Sequence, residues 1–171
     1  MKITEYTTGY LIPIKISIPL FSFETKFVYN IKSSLNLETF IDILLVEFKS
    51  SITRRTIKES SLKNVKELLK YQISHQIHYF NSLINNPRIR DTSYDVPLII
   101  SIEKESISIK ENIVLPSFIN YEIEIFCNDF CIENNVSTEF SGEMSFSLRE
   151  QIMCFFANIS QEMSENTSNA S

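Results

Sequence analysis

The hydrophobic period changes along this chain, and that change limits the folds open to it. Residues 10–20, YLIPIKISIPL, alternate: Ile12, Ile14, Ile16, Ile18 and Leu20 fall on one side, Pro13, Lys15, Ser17 and Pro19 on the other. A period of two is that of a half-buried strand. Proline has no N–H to give a ladder, so the two prolines predict an edge strand or a broken one. The next stretch, FSFETKFVYNI, places Phe21, Phe23, Phe27, Tyr29 and Ile31 on one face and predicts a second strand, antiparallel to the first.

From Asn36 the period becomes helical. Leu37, Phe40, Ile41, Leu44 and Phe48 recur at three- and four-residue steps, with Asn36 placed as N-cap. Residues 50–61 are polar and basic and read as a connector. A longer helix is predicted from Leu62 to Ile84, with Leu62, Val65, Leu69, Ile73, Ile77, Phe80 and Ile84 as its apolar stripe and Pro87 as its stop.

Alternation then returns. VPLIISIEKESISI predicts a hairpin turning near Lys104, with Ile100 and Ile102 against Ile107 and Ile109. INYEIEIFC predicts a strand with Ile119, Tyr121, Ile123, Ile125 and Cys127 inward, and Glu122 and Glu124 in water. Short strands are expected at 130–132 and 136–140. Ser147 and Glu150 form an S-x-x-E capping box. It opens a last helix carrying Leu148, Ile152, Phe155, Phe156, Ile159 and Met163. No internal repeat is read from the sequence. The expectation is one α+β domain over residues 1–163, in the order ββαα, several β, then α. A mainly antiparallel sheet has helices packed on one face, and residues 164–171 form a disordered tail.

Composition excludes several function classes. Hydrophobic residues are 43% and charged residues 22%, the balance of a chain that folds around a core. No run approaches the roughly 18 apolar residues of a membrane span. The N-terminal stretch lacks a signal-peptide cleavage site, so a cytoplasmic location is expected. Cys127, Cys131 and Cys154 then read as free thiols. Only Gly9 and Gly142 are glycine, too few to build a phosphate cradle or a nucleophile elbow. Residues 1–90 hold 13 Lys and Arg against 7 Asp and Glu, whereas residues 91–171 hold 3 against 14. Arg54, Arg55, Lys58, Arg88 and Arg90 cluster without interleaved aromatics. In an acidic chain that pattern argues against nucleic-acid binding.

The two histidines, His75 and His78, both lie on the predicted long helix, about 60° apart and opposite its main stripe. A metal site needs a third or fourth ligand. Cys127 and Cys131 would stand about 13 Å apart on a continuous strand, too far for one ion, and only a turn at Asn128-Asp129 would bring them together. No metal or cofactor is therefore expected. Leu68, Tyr71, His75 and Tyr79, with His78 beside them, form a second and milder stripe on the same helix. A helix apolar on two sides is sandwiched or docks a partner. The alternative is a small enzyme whose scattered site combines His75 and His78 with Glu122 or Glu124. Those two carboxylates would lie about 7 Å apart on one strand face.

One resemblance carries a further alternative. FNSLINNPRIRD, residues 80–91, is similar to the baseplate wedge family of contractile tails and type VI secretion, where a helix ends in E-P-R-L before a hairpin. FKSSITRR, residues 48–55, resembles an earlier helix of that family. Asn86 stands where the family has its acidic residue, and the likeness covers about a third of the chain. It implies a structural component of such an apparatus. The leading expectation is a non-enzymatic interaction or assembly component, an adaptor, chaperone-like or structural subunit. It binds a protein partner or itself through the helix at 62–84.

Overall fold

A computed structural model describes residues 11–31, 36–52, 57–104, 107–116 and 122–168. Among them the chain is an α+β protein, with five α-helices and two two-stranded antiparallel sheets, helices packing against sheets. The described residues fall into two compact units, one ending at Tyr79 and the other beginning at Phe80.

In the first unit, β1 (Leu11–Ile18) pairs with β2 (Phe23–Asn30). The register sets Ile12 opposite Tyr29, Ile14 opposite Phe27, Ile16 opposite Thr25 and Ile18 opposite Phe23. The alternation of both segments is therefore one buried face, and all four isoleucines are buried. Each such side chain stabilises the fold by roughly 1.5–3 kcal/mol. Leu20 departs from the expected pattern and is 81% exposed. Pro19 starts a 3-10 turn that Ser22 closes at φ 52, so the pleat ends at Ile18. Helix α1 (Leu37–Ser51) starts at Asn36, whose side chain accepts from the Thr39 N–H at 2.8 Å. Its Phe48 meets Phe21 and Phe23 edge-on, and its Phe40 meets Phe27 and Tyr29. Helix α2 (Glu59–Ile84) follows the predicted stripe, with Val65, Leu69, Ile73, Phe80 and Ile84 buried. Arg54 and Arg55 of the connector lie outside the described residues.

In the second unit, Pro87 stops α2 as expected and also opens the short helix α3 (Pro87–Arg90), capped by Asn86. The predicted hairpin is present as β3 (Asp95–Lys104) and β4 (Ile107–Pro116). The register sets Ile102 opposite Ile109, Ile100 opposite Glu111 and Lys104 opposite Ile107, and β4 runs beyond Ile109 to Pro116.

The strand expected around residues 119–127 is instead, from Ile123 on, helix α4 (Ile123–Glu133). Ile123, Cys127, Phe130 and Cys131 are buried, at steps of four, three and one. Ile125, inward on a strand, is 54% exposed. The alternation ends at Cys127, whereas the helical stripe continues through Cys131. The strand expected at 130–132 belongs to the same helix. At its end the Val136 N–H reaches the Cys131 carbonyl at 2.8 Å and the Asn135 N–H reaches Ile132, with Asn135 at φ 55. That is a Schellman stop with asparagine in the left-handed position. No strand follows. Ser137 and Thr138 begin a turn into helix α5 (Phe140–Ser168). Ser147 and Glu150 are thus interior to α5 and cap nothing, and the helix continues into residues 164–168, where composition predicts disorder.

The order hairpin, helix, longer helix occurs twice along the chain. Each unit has a hairpin, a helix and a longer helix, and β1 contains PIKISI where β3 contains PLIISI. Gln76 of α2 bonds to Lys15 of β1 across 61 residues, and Gln151 of α5 bonds to Ile99 of β3 across 52. The unequal spacing hides the period from a search for fixed repeats.

Candidate functional site

Three sides of helix α2 are each fixed by different chemistry. The buried stripe faces the core of the unit. Beside it, Gln72 and Gln76, four residues apart, point at the outer edge of β1. The Gln76 carboxamide accepts from the Lys15 N–H at 3.0 Å and donates to the Lys15 carbonyl at 2.8 Å. Gln72 does the same to Ser17, at 3.0 and 2.8 Å. A primary amide presents one donor and one acceptor side by side, the pattern a neighbouring strand would offer. On the far side of the stripe, Lys66 pairs with Asp42 at 2.5 Å and Lys70 pairs with Glu38, both partners on α1. The hydrogen bond to Asp42 raises the Lys66 pKa, and the one to Glu38 raises that of Lys70. Both lysines are well solvated, and such pairs orient more than they stabilise.

These contacts set the rotation of the helix. What remains outward is the ribbon of Leu68, Tyr71, His75 and Tyr79, which spans about 80° of arc. Leu68 is 37%, Tyr71 67% and Tyr79 44% exposed. His75 and His78 are exposed as well. The Tyr71 and His75 rings lie 5.9 Å apart at 31°. All five residues that the sequence singled out are thus on the surface of one unit, four in a continuous ribbon with His78 flanking it.

The residues of the scattered-site alternative are placed differently. Glu122 and Glu124 belong to the other unit and are not on a strand. Glu122 is the N-cap of α4, and Glu124 lies in its first turn. The Glu124 carboxylate accepts from Arg149 through Nε and Nη2, at 2.6–2.9 Å, and from the Ser145 hydroxyl at 2.8 Å. Burial alone would raise the Glu124 pKa, but the Arg149 bonds and charge, helped by Ser145, outweigh it and hold the pKa below the ordinary carboxylate value. Arg149, only 6% exposed, is neutralised by this pair.

Cys127 and Cys131 are a turn apart on α4, closer than a strand would allow, and both are buried. Burial, with the nearby Glu124 charge, pushes the Cys127 thiol up to about 12, and burial raises that of Cys131. Both are held as thiols and not as reactive thiolates. Cys154 is exposed. Among the described residues no three His, Cys, Asp or Glu side chains are grouped so as to hold a metal ion. Nor is any helix among them long and apolar enough to cross a membrane.

Sequence reasoning missed the glutamines. Their signal was available: Gln72 and Gln76 at a four-residue step, and prolines marking the outward phase of β1. No known protein family matches the chain, and no curated protein is similar enough to count as a relative.

Proposed function

We propose that this protein is a non-enzymatic interaction or assembly component that uses the outer ribbon of α2 to dock a protein partner or a second copy of itself. The observation that carries the reading is the exposure of Leu68, Tyr71 and Tyr79 on one helix face whose rotation is fixed by contacts on both flanks. Tyrosine and histidine suit such a face, because each has an apolar ring that a partner can cover and a polar atom that stays hydrated until then. A pre-set helix face also spares a partner the entropy of ordering it. Three free thiols fit action in the reducing cytoplasm.

Native mass spectrometry of the purified chain, alone and with Tyr71→Ala plus Tyr79→Ala, tests the reading. A dimer or a stably co-purifying protein, lost in the double variant, is the expected result. Assembly that survives the double variant would remove the ribbon as its cause. A chelator-sensitive mass increment of one metal ion would favour chemistry at His75 and His78 instead.

A further inference from the structure

The outer edges of the two hairpins are treated unequally. On β1 the outward main-chain phase runs through Pro13, which has no N–H, and through Lys15 and Ser17, which Gln76 and Gln72 occupy. On β3 it runs through Pro97, again without N–H, and on through Ile99, Ser101 and Glu103. The Ile99 N–H and carbonyl are both taken by Gln151 at 2.8 Å. The β1 edge is closed at Pro13, Lys15 and Ser17, and the β3 edge at Pro97 and Ile99.

The edge of β4 is different. Ile99 lies opposite Asn112, and because the Ile99 groups point away from β4, those of Asn112 point away from β3. Ser108, Lys110 and Val114 share that phase, and all four residues are exposed. Among the described residues, nothing pairs with their N–H and carbonyl groups. No proline interrupts the row until Pro116. On the inner face, Ile107, Ile109 and Ile113 are half-buried and leave an apolar border along this edge, broken by the exposed Glu111.

We propose that the β4 edge receives an extended segment of a partner protein, laid antiparallel. The segment carries apolar residues opposite Ile109 and Ile113, a basic residue opposite Glu111 and an acidic residue opposite Lys110. Charge selects this occupant over a second copy. An antiparallel pair of β4 strands must match outward phase with outward phase. Centred on residue 110 it sets Lys110 against Lys110, on 111 Glu111 against Glu111, and on 109, 112 or 113 it sets Glu111 against Ile107, Ile113 or Leu115. Like charges directly opposite destabilise a pair, and a carboxylate against an apolar side chain is left unmatched. A strand of complementary pattern meets none of these penalties and gains main-chain hydrogen bonds along the row.

The probe is the capped, dye-labelled octapeptide Thr-Val-Thr-Arg-Glu-Val-Thr-Val, followed by fluorescence anisotropy against the full chain. Saturable binding is expected. The charge-swapped peptide, with Glu-Arg in place of Arg-Glu, is expected to bind about tenfold more weakly. The preference should invert on Lys110→Glu plus Glu111→Lys. Asn112→Pro removes an outward N–H without touching the β3 ladder and should weaken binding at least about tenfold. Circular dichroism monitors its fold, and the charge inversion stands as an independent reading if that variant is unstable. Absence of saturable binding, equal affinity for both peptides, or a folded Asn112→Pro protein that binds like the wild type would overturn the proposal. So would a sedimenting dimer that Asn112→Pro dissolves, which would assign the edge to a second copy.

Discussion

Single side chains set the geometry on which everything else in this molecule depends. Gln72, Gln76 and Gln151 each close a strand edge with two hydrogen bonds, a task the backbone usually gives to another strand. Gln151→Ala is expected to cost about 1–2 kcal/mol by urea denaturation, the worth of two modest hydrogen bonds. Gln151→Glu has the same shape but sets a carboxylate against the Ile99 carbonyl. It should cost at least as much, which separates edge closure from simple packing. Ser22 and Asn135 hold left-handed backbone at φ 52 and 55 in a chain with two glycines. Ser22→Gly should therefore raise stability by up to about 1 kcal/mol, since glycine occupies that region without strain. The Glu124 carboxylate holds its proton less tightly in the folded state than in the unfolded chain. It therefore adds stability above the ordinary carboxylate value, and that stability is lost as pH falls through the folded-state pKa. Glu124→Gln should flatten this acid limb in a pH series of thermal melts. It should also cost about 1–2 kcal/mol at neutral pH, discounted because Glu124 is half exposed, since the buried Arg149 loses the charge of this carboxylate.

At the scale of elements, α4 is where local pattern and tertiary packing disagreed. Ile123, Ile125 and Cys127 alternate, and so does the stretch before them in sequence. Those residues also fit one face of a helix if Ile125 is allowed to face water. Packing decided in favour of the helix, because Cys127, Phe130 and Cys131 are buried together and the Asn135 stop follows. Two measurements check this. Ile125→Glu should change stability by no more than about 0.5 kcal/mol, as for any solvated helix position. A thiol reagent on the native protein should modify Cys154 alone, with Cys127 and Cys131 reacting only after unfolding. A strand with Ile125 and Cys127 side by side on its inner face would give a large loss for the first variant. The amphipathic segments with one unambiguous period, β1, β2, α1, α2 and β3, were legible in the sequence, down to the Asn36 cap. The start of α5 was not, because the Ser147–Glu150 box has the spacing of a cap without sitting at a helix end.

At the scale of the whole molecule, the charge asymmetry of the sequence follows the unit boundary. Residues 9–79 carry 10 basic against 6 acidic side chains, and residues 80–171 carry 5 against 14. Helix α2 is unbroken where one unit gives way to the other, between Tyr79 and Phe80. A single calorimetric transition is expected for one domain. Two resolved transitions would show independent domains.

The sequence by itself determined the strands and helices of strong period, the buried faces of β1 and α2, and the surface position of Leu68, Tyr71, His75, His78 and Tyr79. Those follow from local spacing, which a chain carries in its order of residues. The tertiary structure decided the rest: the helical state of α4, the closure of the β1 and β3 edges by distant glutamines, the pairing of Arg149 with Glu124, and the opening left along β4. Each of these joins residues more than twenty positions apart or turns on which face meets a neighbour. Neither is encoded in any local period.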